Sequence, residues 1–391
     1  MTKAIPVMLL LWLSAMVPLR AYSVLTHEAV IDTAWLGSIK PVLLKRFPQA
    51  TPDEVLKAHA YAYGGAIIQD IGYYPFGSKL FSDLTHYIRS GDFVVALLHD
   101  SSDINELAFA LGSLAHYTAD NTGHPEAVNL TVPLLYPKLK AEYGPVVTYE
   151  DDKSAHLKTE FGFDVIQVAR GAYAPQAYHD FIGFEVSESL LKRAFEDTYG
   201  LKLDAVMDHQ GLSFGTFRYS VSTLIPTATR AAWLLKKDEI IKGHPSMTRR
   251  RFVYNMKRSS YRREWGSAYQ KPGCGARFIA FISRIVPKIG PFRALAFKVP
   301  GPKGEKYFMS SFNDTVKRYE AFIKQYDAGT LALTDTNLDT GKDAVKGKYQ
   351  MADDAYTSLV LKIESAHAPV SQALHNSLAR YYDGAVTARA H

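Results

Sequence analysis

Residues 107–124 read LAFALGSLAHYTADNTGH and indicate the class of fold that this chain adopts. Apolar residues recur in this stretch with the period of a helix, at Leu107, Ala110, Leu111, Leu114 and Ala115. The stretch also holds His116, Asp120 and His124, spaced four residues apart. Side chains at i and i+4 lie one above the other on the same face of a helix. We therefore predict an amphipathic helix over residues 103–119 that carries a histidine–carboxylate unit.

A second unit of the same kind follows about forty residues later, as His156-Leu-Lys-Thr-Glu160. A lone histidine with a carboxylate at i+4 is common on solvated helix faces. Two such units converging from two helices are a way for the interior of a bundle to hold zinc or a similar divalent metal. The repeated spacing therefore favours a metal site over two unrelated surface pairs.

The rest of the chain also predicts a mainly α fold, because alternation of β-branched residues is sparse. Helical patterns occur at residues 26–44, 52–68, 83–98, 103–119, 156–168, 187–195, 309–326 and 353–382. Residues 331–348 read as a polar loop. Residues 70–77, DIGYYPFG, read as a turn rich in Gly and Pro, and Asp70 at its start is well placed to present a carboxylate to a metal.

The cysteine content restricts the chemistry of any metal site. Cys274 is the single cysteine, so the chain has no intrachain disulfide and no cysteine-based site. Any metal must be bound by nitrogen and oxygen atoms.

The first 21 residues read as a signal peptide. Lys3 supplies the positive charge, residues 7–17 form an apolar run too short to span a bilayer comfortably, and Ala21 is a suitable cleavage position. Cleavage there would make Tyr22 the first residue of an exported protein, periplasmic or secreted, with peripheral contact to a membrane left open. An uncleaved N-terminal anchor is the alternative.

Charge divides the chain into two halves, which we take as domains of 22–200 and 201–391. The first carries 13 Lys and Arg against 23 Asp and Glu, and the second 30 against 16. An acidic half suits a site for several divalent cations, and a basic half suits a polyanion or an anionic lipid surface. Residues 236–308 hold 18 Lys and Arg against four acids, and within them residues 276–286 are apolar and punctuated by arginine. They are open to three interpretations: a surface helix with basic loops, a membrane-surface segment, or a nucleic-acid patch.

Eight histidines and acids occur in an order that resembles the zinc-dependent phospholipase C family and its relatives, the S1/P1-type nucleases. They are His27, Asp70, His86, His116, Asp120, His124, His156 and Glu160. The matching segments are YSVLTH (22–27), QDIG (69–72), LTHY (84–87), AHYTADNTGHP (115–125) and HLKTE (156–160). The resemblance covers roughly residues 22–200 and fades beyond them.

The resemblance implies a multi-helix bundle, of the kind found in phospholipase C and P1 nuclease, around up to three Zn²⁺ ions, followed by a basic C-terminal extension. One zinc would be held by Asp70, His86, His116 and Asp120. A second would share Asp120 with His27 and with the backbone amine and carbonyl of Tyr22, where the family usually has tryptophan. The third would be held by His124, His156 and Glu160.

The chemistry implied is hydrolysis of a phosphodiester by in-line attack of a metal-bound hydroxide. Asp70 is the candidate catalytic residue, as the general base for the attacking water. No phosphate-binding loop of the Walker type is present in the sequence.

Three functions compete at this point. The first is phospholipase C-like cleavage at a phospholipid membrane surface, favoured by Glu160 where the related nucleases more often have Asp, with residues 276–300 as the lipid-docking element. The second is a single-strand nuclease or 3′-nucleotidase whose basic half binds nucleic acid. The third is a non-catalytic metal protein. No protein partner is evident.

Overall fold

A buried helix of 20 residues, Ile104–Gly123, lies at the centre of the fold. The computed structural model describes residues 24–171, 183–221, 225–255 and 296–387. These residues are mainly helical and contain no strand beyond one isolated bridge between Asn337 and Lys342, which confirms the predicted fold class.

Sixteen α-helices occur in the described ranges. They are α1 Val24–Ala34, α2 Lys40–Arg46, α3 Pro52–Gly65, α4 Lys79–Tyr87, α5 Ser90–Asp100, α6 Ile104–Gly123, α7 Asn129–Leu135, α8 Pro137–Tyr143, α9 Lys153–Arg170, α10 Glu188–Tyr199, α11 Gln210–Tyr219, α12 Ile225–Gly243, α13 Arg249–Asn255, α14 Pro302–Asp327, α15 Gln350–Ala366 and α16 Gln372–Thr387. Short π-helical turns form at Trp35–Ile39 and His124–Val128, and 3₁₀ turns form at Ile68–Tyr73 and Leu203–Ala205.

Helix α6 begins at a strong cap, because the Asp103 carboxylate accepts hydrogen bonds from the N–H groups of Asn105 and Glu106 at 2.8 and 2.9 Å. The predicted apolar stripe is fully inside the protein, but so are most other residues of the helix. A helix buried on all sides needs partners on all sides. Helices α3 and α14 make the most extensive contacts with α6, and α5 and α1 add to them.

Two glycines bring α3 and α6 to near backbone contact. A Cβ atom on Gly112 would lie 2.1 Å from the carbonyl oxygen of Ala62, and one on Gly65 would lie 1.9 Å from the carbonyl oxygen of Phe109. No side chain fits at either position without a movement of the helices. This close approach determines how far α6, and the histidines it carries, lie from α3.

Two long helices predicted from the sequence are each interrupted, so those two predictions are wrong. The helix predicted over 83–98 divides into α4 and α5 at Arg89, which adopts a left-handed φ of 50°. The Arg89 side chain donates hydrogen bonds to the Asp92 carboxylate and the Thr198 carbonyl, and these offset the energetic cost of the left-handed backbone. The helix predicted over 353–382 divides at His367, which has a φ of 47°.

The two halves of the chain share one apolar core. Tyr319 of α14 is fully buried and donates a hydrogen bond to the Leu111 carbonyl of α6 at 2.8 Å. Helix α15 packs against α4, and Leu359 belongs to the same core as Leu114. Packing therefore runs across residue 200, while the division into domains at that residue stays a prediction.

Three sequence features lie outside the described residues: the signal peptide at 1–21, Tyr22, and all but the last five residues of 276–300. Among the helices that the structure describes, none is both long enough and apolar enough to cross a bilayer.

His59 of α3 should make stability depend on pH. Its ring stacks on Trp35 with 3.7 Å between centroids, and its Nε2 lies 3.2 Å from Asp32 Oδ1. Burial lowers the pKa of His59 below 6.5, although Asp32 opposes the shift. The unfolded chain therefore binds the proton more readily, so this contribution to stability is complete above pH 6.5 and is lost as the pH falls below it.

We expect His59→Asn to flatten the decrease in the free energy of unfolding between pH 7 and pH 5, measured by denaturant titration. Parallel pH profiles for wild type and His59→Asn would contradict the assignment.

Candidate metal centre

Eight ionisable side chains meet inside the bundle, and none is more than 3% exposed. They are His27, Asp70, His86, His116, Asp120, His124, His156 and Glu160. Burying charged groups costs several kcal/mol each unless they are paired or bind a metal. So dense a cluster is therefore typical of a metal centre.

Local structure explains how α6 supplies three of these groups. His116 and Asp120 lie one turn apart near its end, and His124 begins the π-helical turn that follows. Pro125 has no N–H to donate to the Asn121 carbonyl, so the regular hydrogen-bond pattern is interrupted there. Such π-helical turns occur frequently at functional sites.

Helix α9 supplies the second unit, which begins one turn after the N-cap. The Asp152 carboxylate accepts the Ala155 N–H at 2.7 Å and starts the helix, so that His156 and Glu160 lie on its buried face. The remaining ligand candidates come from α1, from the 3₁₀ turn with Asp70, and from the end of α4 with His86.

The first group consists of Asp70, His86, His116 and Asp120, whose ligand atoms all lie within 4.8 Å of one another. His86 Nε2 is 3.4 Å from Asp70 Oδ1 and 3.4 Å from Asp120 Oδ2. His116 Nε2 is 3.1 Å from Asp120 Oδ2 and 3.3 Å from His86 Nε2. Two imidazoles and two carboxylates therefore converge on one small volume.

The second group consists of His124, His156 and Glu160, again with ligand atoms within 4.8 Å of one another. Glu160 Oε1 lies 2.9 Å from His156 Nε2 and 3.4 Å from His124 Nε2. The donor set of two nitrogens and a carboxylate is one that catalytic zinc sites use.

The Asp120 carboxylate links the two groups. Its Oδ2 faces His86 and His116, while its Oδ1 lies 3.4 Å from His27 Nε2 and 3.8 Å from His124 Nε2. The rings of His27 and His116 stack with 4.5 Å between centroids. The two oxygens of this carboxylate thus face two different pairs of histidines, which suits a ligand shared between two metal ions.

Hydrogen bonds hold two of the rings with Nε2 directed into the centre. His86 Nδ1 donates to the Ser82 carbonyl at 2.8 Å, and His116 Nδ1 donates to the Ala66 carbonyl at 2.9 Å. A carbonyl only accepts, so each Nδ1 carries the proton and each Nε2 is left as the ligand atom.

Buried acceptor atoms in the centre fit a cation. Among the described residues, both carboxylate oxygens of Asp120 and of Glu160, Asp70 Oδ1 and the Nε2 atoms of His124 and His156 make no hydrogen bond. Buried polar atoms without hydrogen bonds are rare, and an ion is one of the ordinary explanations. Nitrogen and oxygen donors in these proportions suit Zn²⁺.

Charge in the metal-free centre is shared between carboxylates and histidines. Burial by itself would raise the pKa of Asp120, but His116 and His124 hold it well below its usual value. Burial also opposes protonation of His86, yet Asp120 and Asp70 raise its pKa to about 10. A metal must therefore displace protons from the centre as it binds.

The start of helix α1 is fastened beside the second group. Asp164 lies one turn beyond Glu160 on α9 and is fully buried. Its carboxylate accepts the Leu25 N–H at 3.1 Å and the Thr26 hydroxyl at 2.8 Å. The predicted ligand Tyr22 is outside the described residues. The hydrogen bonds to Asp164 hold Leu25, which follows Tyr22 by three residues.

Sequence reasoning missed Asp339, which contacts the centre from the loop between α14 and α15. Its Oδ1 lies 3.0 Å from His124 Nδ1. The loop composition gave no signal for this contact, because 215 residues separate the two side chains in the chain.

A family model described as zinc dependent phospholipase C matches residues 26–208, a range that contains all eight buried groups. No curated protein and no solved structure matches the chain. Residues 26–208, just under half of the chain, are therefore similar to the zinc-dependent phospholipase C family, a family of zinc-dependent hydrolases.

Proposed function

We propose that this chain is an exported phospholipase C-like enzyme that hydrolyses the glycerol-side phosphodiester of phospholipids. The observation that carries the proposal is the Asp120 carboxylate shared between the two buried ligand groups. The family match supports zinc and a phospholipid substrate.

The residues present would hold up to three zinc ions. Asp70, His86, His116 and Asp120 fit one ion, and His124, His156 and Glu160 fit another. His27 lies against Asp120 Oδ1, on the side away from His86. With the mature N-terminus at Tyr22, His27 would complete a third site, which makes signal cleavage a condition for the full centre.

Zinc, when bound, polarises phosphoryl oxygens and lowers the pKa of a bound water to about 7. The chain's own part in the reaction is to orient the ligands and to move a proton. Asp70 is 1% exposed and its Oδ1 lies in the centre, 3.4 Å from His86 Nε2, so we propose its carboxylate as the group that takes the proton of the attacking water. One P–O bond forms to the water oxygen while the P–O bond to the glycerol oxygen breaks. The products are diacylglycerol, which gains a proton, and a phosphorylated headgroup.

The basic half of the chain would bring the enzyme to anionic lipid. Its excess of 30 basic over 16 acidic residues supports attraction to a negatively charged surface. We retain residues 276–300 as the proposed docking element on sequence grounds alone.

An S1/P1-like single-strand nuclease or 3′-nucleotidase is the second candidate. The same buried ligand groups would serve a nucleotide phosphodiester, and the same basic half would bind a sugar-phosphate backbone. Binding to nucleic acid would then weaken steeply with salt.

Phosphorus NMR tests the two candidates. Processed protein would be incubated with mixed phospholipid vesicles and, separately, with single-stranded DNA, each with and without a chelator. We expect chelator-sensitive release of water-soluble phosphomonoesters from the vesicles. Intact lipid in the presence of zinc-loaded protein, together with cleaved DNA, would overturn the lipid proposal in favour of the nuclease.

A further inference from the structure

Asp339 is a buried carboxylate that belongs to none of the family motifs and lies outside residues 26–208. It is 2% exposed and sits in the loop between α14 and α15. Its Oδ1 is 3.0 Å from His124 Nδ1. Since a carboxylate only accepts hydrogen bonds, this contact places the proton on Nδ1 and leaves Nε2 as the ligand atom.

The Asp339 side chain is itself held in one orientation. Its Oδ2 accepts hydrogen bonds from the hydroxyls of Tyr87 at 2.9 Å and Tyr349 at 2.5 Å. Its backbone N–H donates to Asn337 Oδ1 at 2.9 Å, and its carbonyl accepts from Asn129 Nδ2 at 2.8 Å. Both oxygens and both backbone groups are thus engaged, so the carboxylate has little freedom to turn away from His124.

The loop around Asp339 is also joined to the segments that carry the ligands. The Leu338 N–H donates to the carbonyl of His86 at 3.0 Å, and the Thr336 hydroxyl lies 3.1 Å from Asn121 Oδ1. At Gly341, φ is 66°, and an added Cβ would meet the Asn121 carbonyl at 3.2 Å. The loop therefore packs closely against the segments that carry the ligands. Position 341 needs glycine because its φ is positive and a side chain would have little room there.

We infer that Asp339 is a positioning residue of the metal centre: it orients His124 so that Nε2 faces Glu160 and Asp120. The rings of His86 and His116 are oriented in the same way, by hydrogen bonds from their Nδ1 atoms to backbone carbonyls. The group that orients His124 is a charged carboxylate. A carboxylate partner also makes the imidazole more basic, and therefore a stronger metal ligand. The C-terminal half of the chain thereby contributes to a centre whose ligands all lie in the first half.

This inference rests on the proposed zinc centre, and its main test is zinc affinity. Metal-free protein would be titrated with Zn²⁺ against a chromophoric chelator. We expect Asp339→Asn to weaken one class of zinc site about 10- to 100-fold, the range for loss of a residue that supports a ligand. Wild-type affinity in Asp339→Asn would overturn the inference, and a wild-type protein that binds no zinc would overturn the proposed function as well.

A matched control separates support of the centre from support of the fold. Asp335 lies in the same loop and caps α5, since its Oδ1 accepts the N–H groups of Gly91 at 3.1 Å and Asp92 at 3.0 Å. Asp335→Ala should lower thermal stability and keep wild-type zinc affinity. Equal loss of zinc affinity in the Asp335 and Asp339 variants would show that the loop acts only through stability.

A measurement on the wild-type side chain covers the case in which Asp339→Asn does not fold. Long-range ¹H–¹⁵N NMR of the imidazole rings reports which nitrogen carries the proton, and His124→Asn identifies the His124 signals. We expect the Nδ1–H tautomer for His124 in the zinc-loaded protein. The opposite tautomer would exclude a hydrogen bond to Asp339 and overturn the inference.

Discussion

Asp120→Asn is expected to reduce phosphodiester hydrolysis by more than about 100-fold, beyond the range for residues that only support a ligand. Asp120 is fully buried, and its two oxygens lie between 3.1 and 3.8 Å from four histidine nitrogens. Asparagine keeps the shape but replaces one oxygen with an NH₂ group, which cannot bind a metal and carries no charge. A shared site would therefore lose both its bridge and its counter-charge.

The zinc content per chain, measured by plasma mass spectrometry after dialysis, should fall together with kcat/KM. Asp83→Asn is the control, because Asp83 is also a buried carboxylate and pairs with Lys79. Full activity and wild-type zinc content in Asp120→Asn would remove Asp120 from the centre.

Gly112→Ala is expected to destabilise the fold by about 3 kcal/mol or more, at or above the upper end of ordinary overpacking. The added Cβ would lie 2.1 Å from the Ala62 carbonyl oxygen and 2.8 Å from the Ala66 nitrogen, and both are backbone atoms. Neither can rotate away, so α6 must move from α3. That movement also strains the hydrogen bond from His116 to the Ala66 carbonyl.

Denaturant unfolding in the presence of a chelator measures this effect without a contribution from bound metal. A lower midpoint at an unchanged slope would show a loss of stability. Gly211→Ala and Gly215→Ala in α11 are matched controls, because nothing lies within 4 Å of a Cβ at either position. These two changes should raise stability by up to about 1 kcal/mol. Wild-type stability in Gly112→Ala would contradict the backbone contact between α3 and α6.

The spacing of residues along the chain was sufficient to predict half of the buried cluster. His116 with Asp120 and His156 with Glu160 are contacts within single helices, and both form as the i, i+4 rule requires. Their assembly with His27, Asp70, His86 and His124 followed from the family resemblance, and the structure brings all of them together. Their roles as zinc ligands remain predictions.

Helix boundaries were less predictable, because tertiary contacts decided them. Within residues 83–98 the Ser90-Gly91 pair is a weak turn signal, but the left-handed backbone of Arg89 goes with a hydrogen bond to Thr198, more than 100 residues away. Similarly, the apolar stripe of α6 predicted one buried face, whereas packing against α3, α5 and α14 buries nearly the whole helix.

By itself, the sequence determined the helical class of the fold and the two histidine–carboxylate units, because helical periodicity and i, i+4 geometry are local properties of the chain. Only the tertiary structure decided that Asp120 lies between four histidines, that α3 and α6 touch through Gly65 and Gly112, and that Asp339 supports His124. These contacts join residues that are far apart in the chain. Which residues meet depends on how whole helices pack, and the local spacing of residues does not specify that packing.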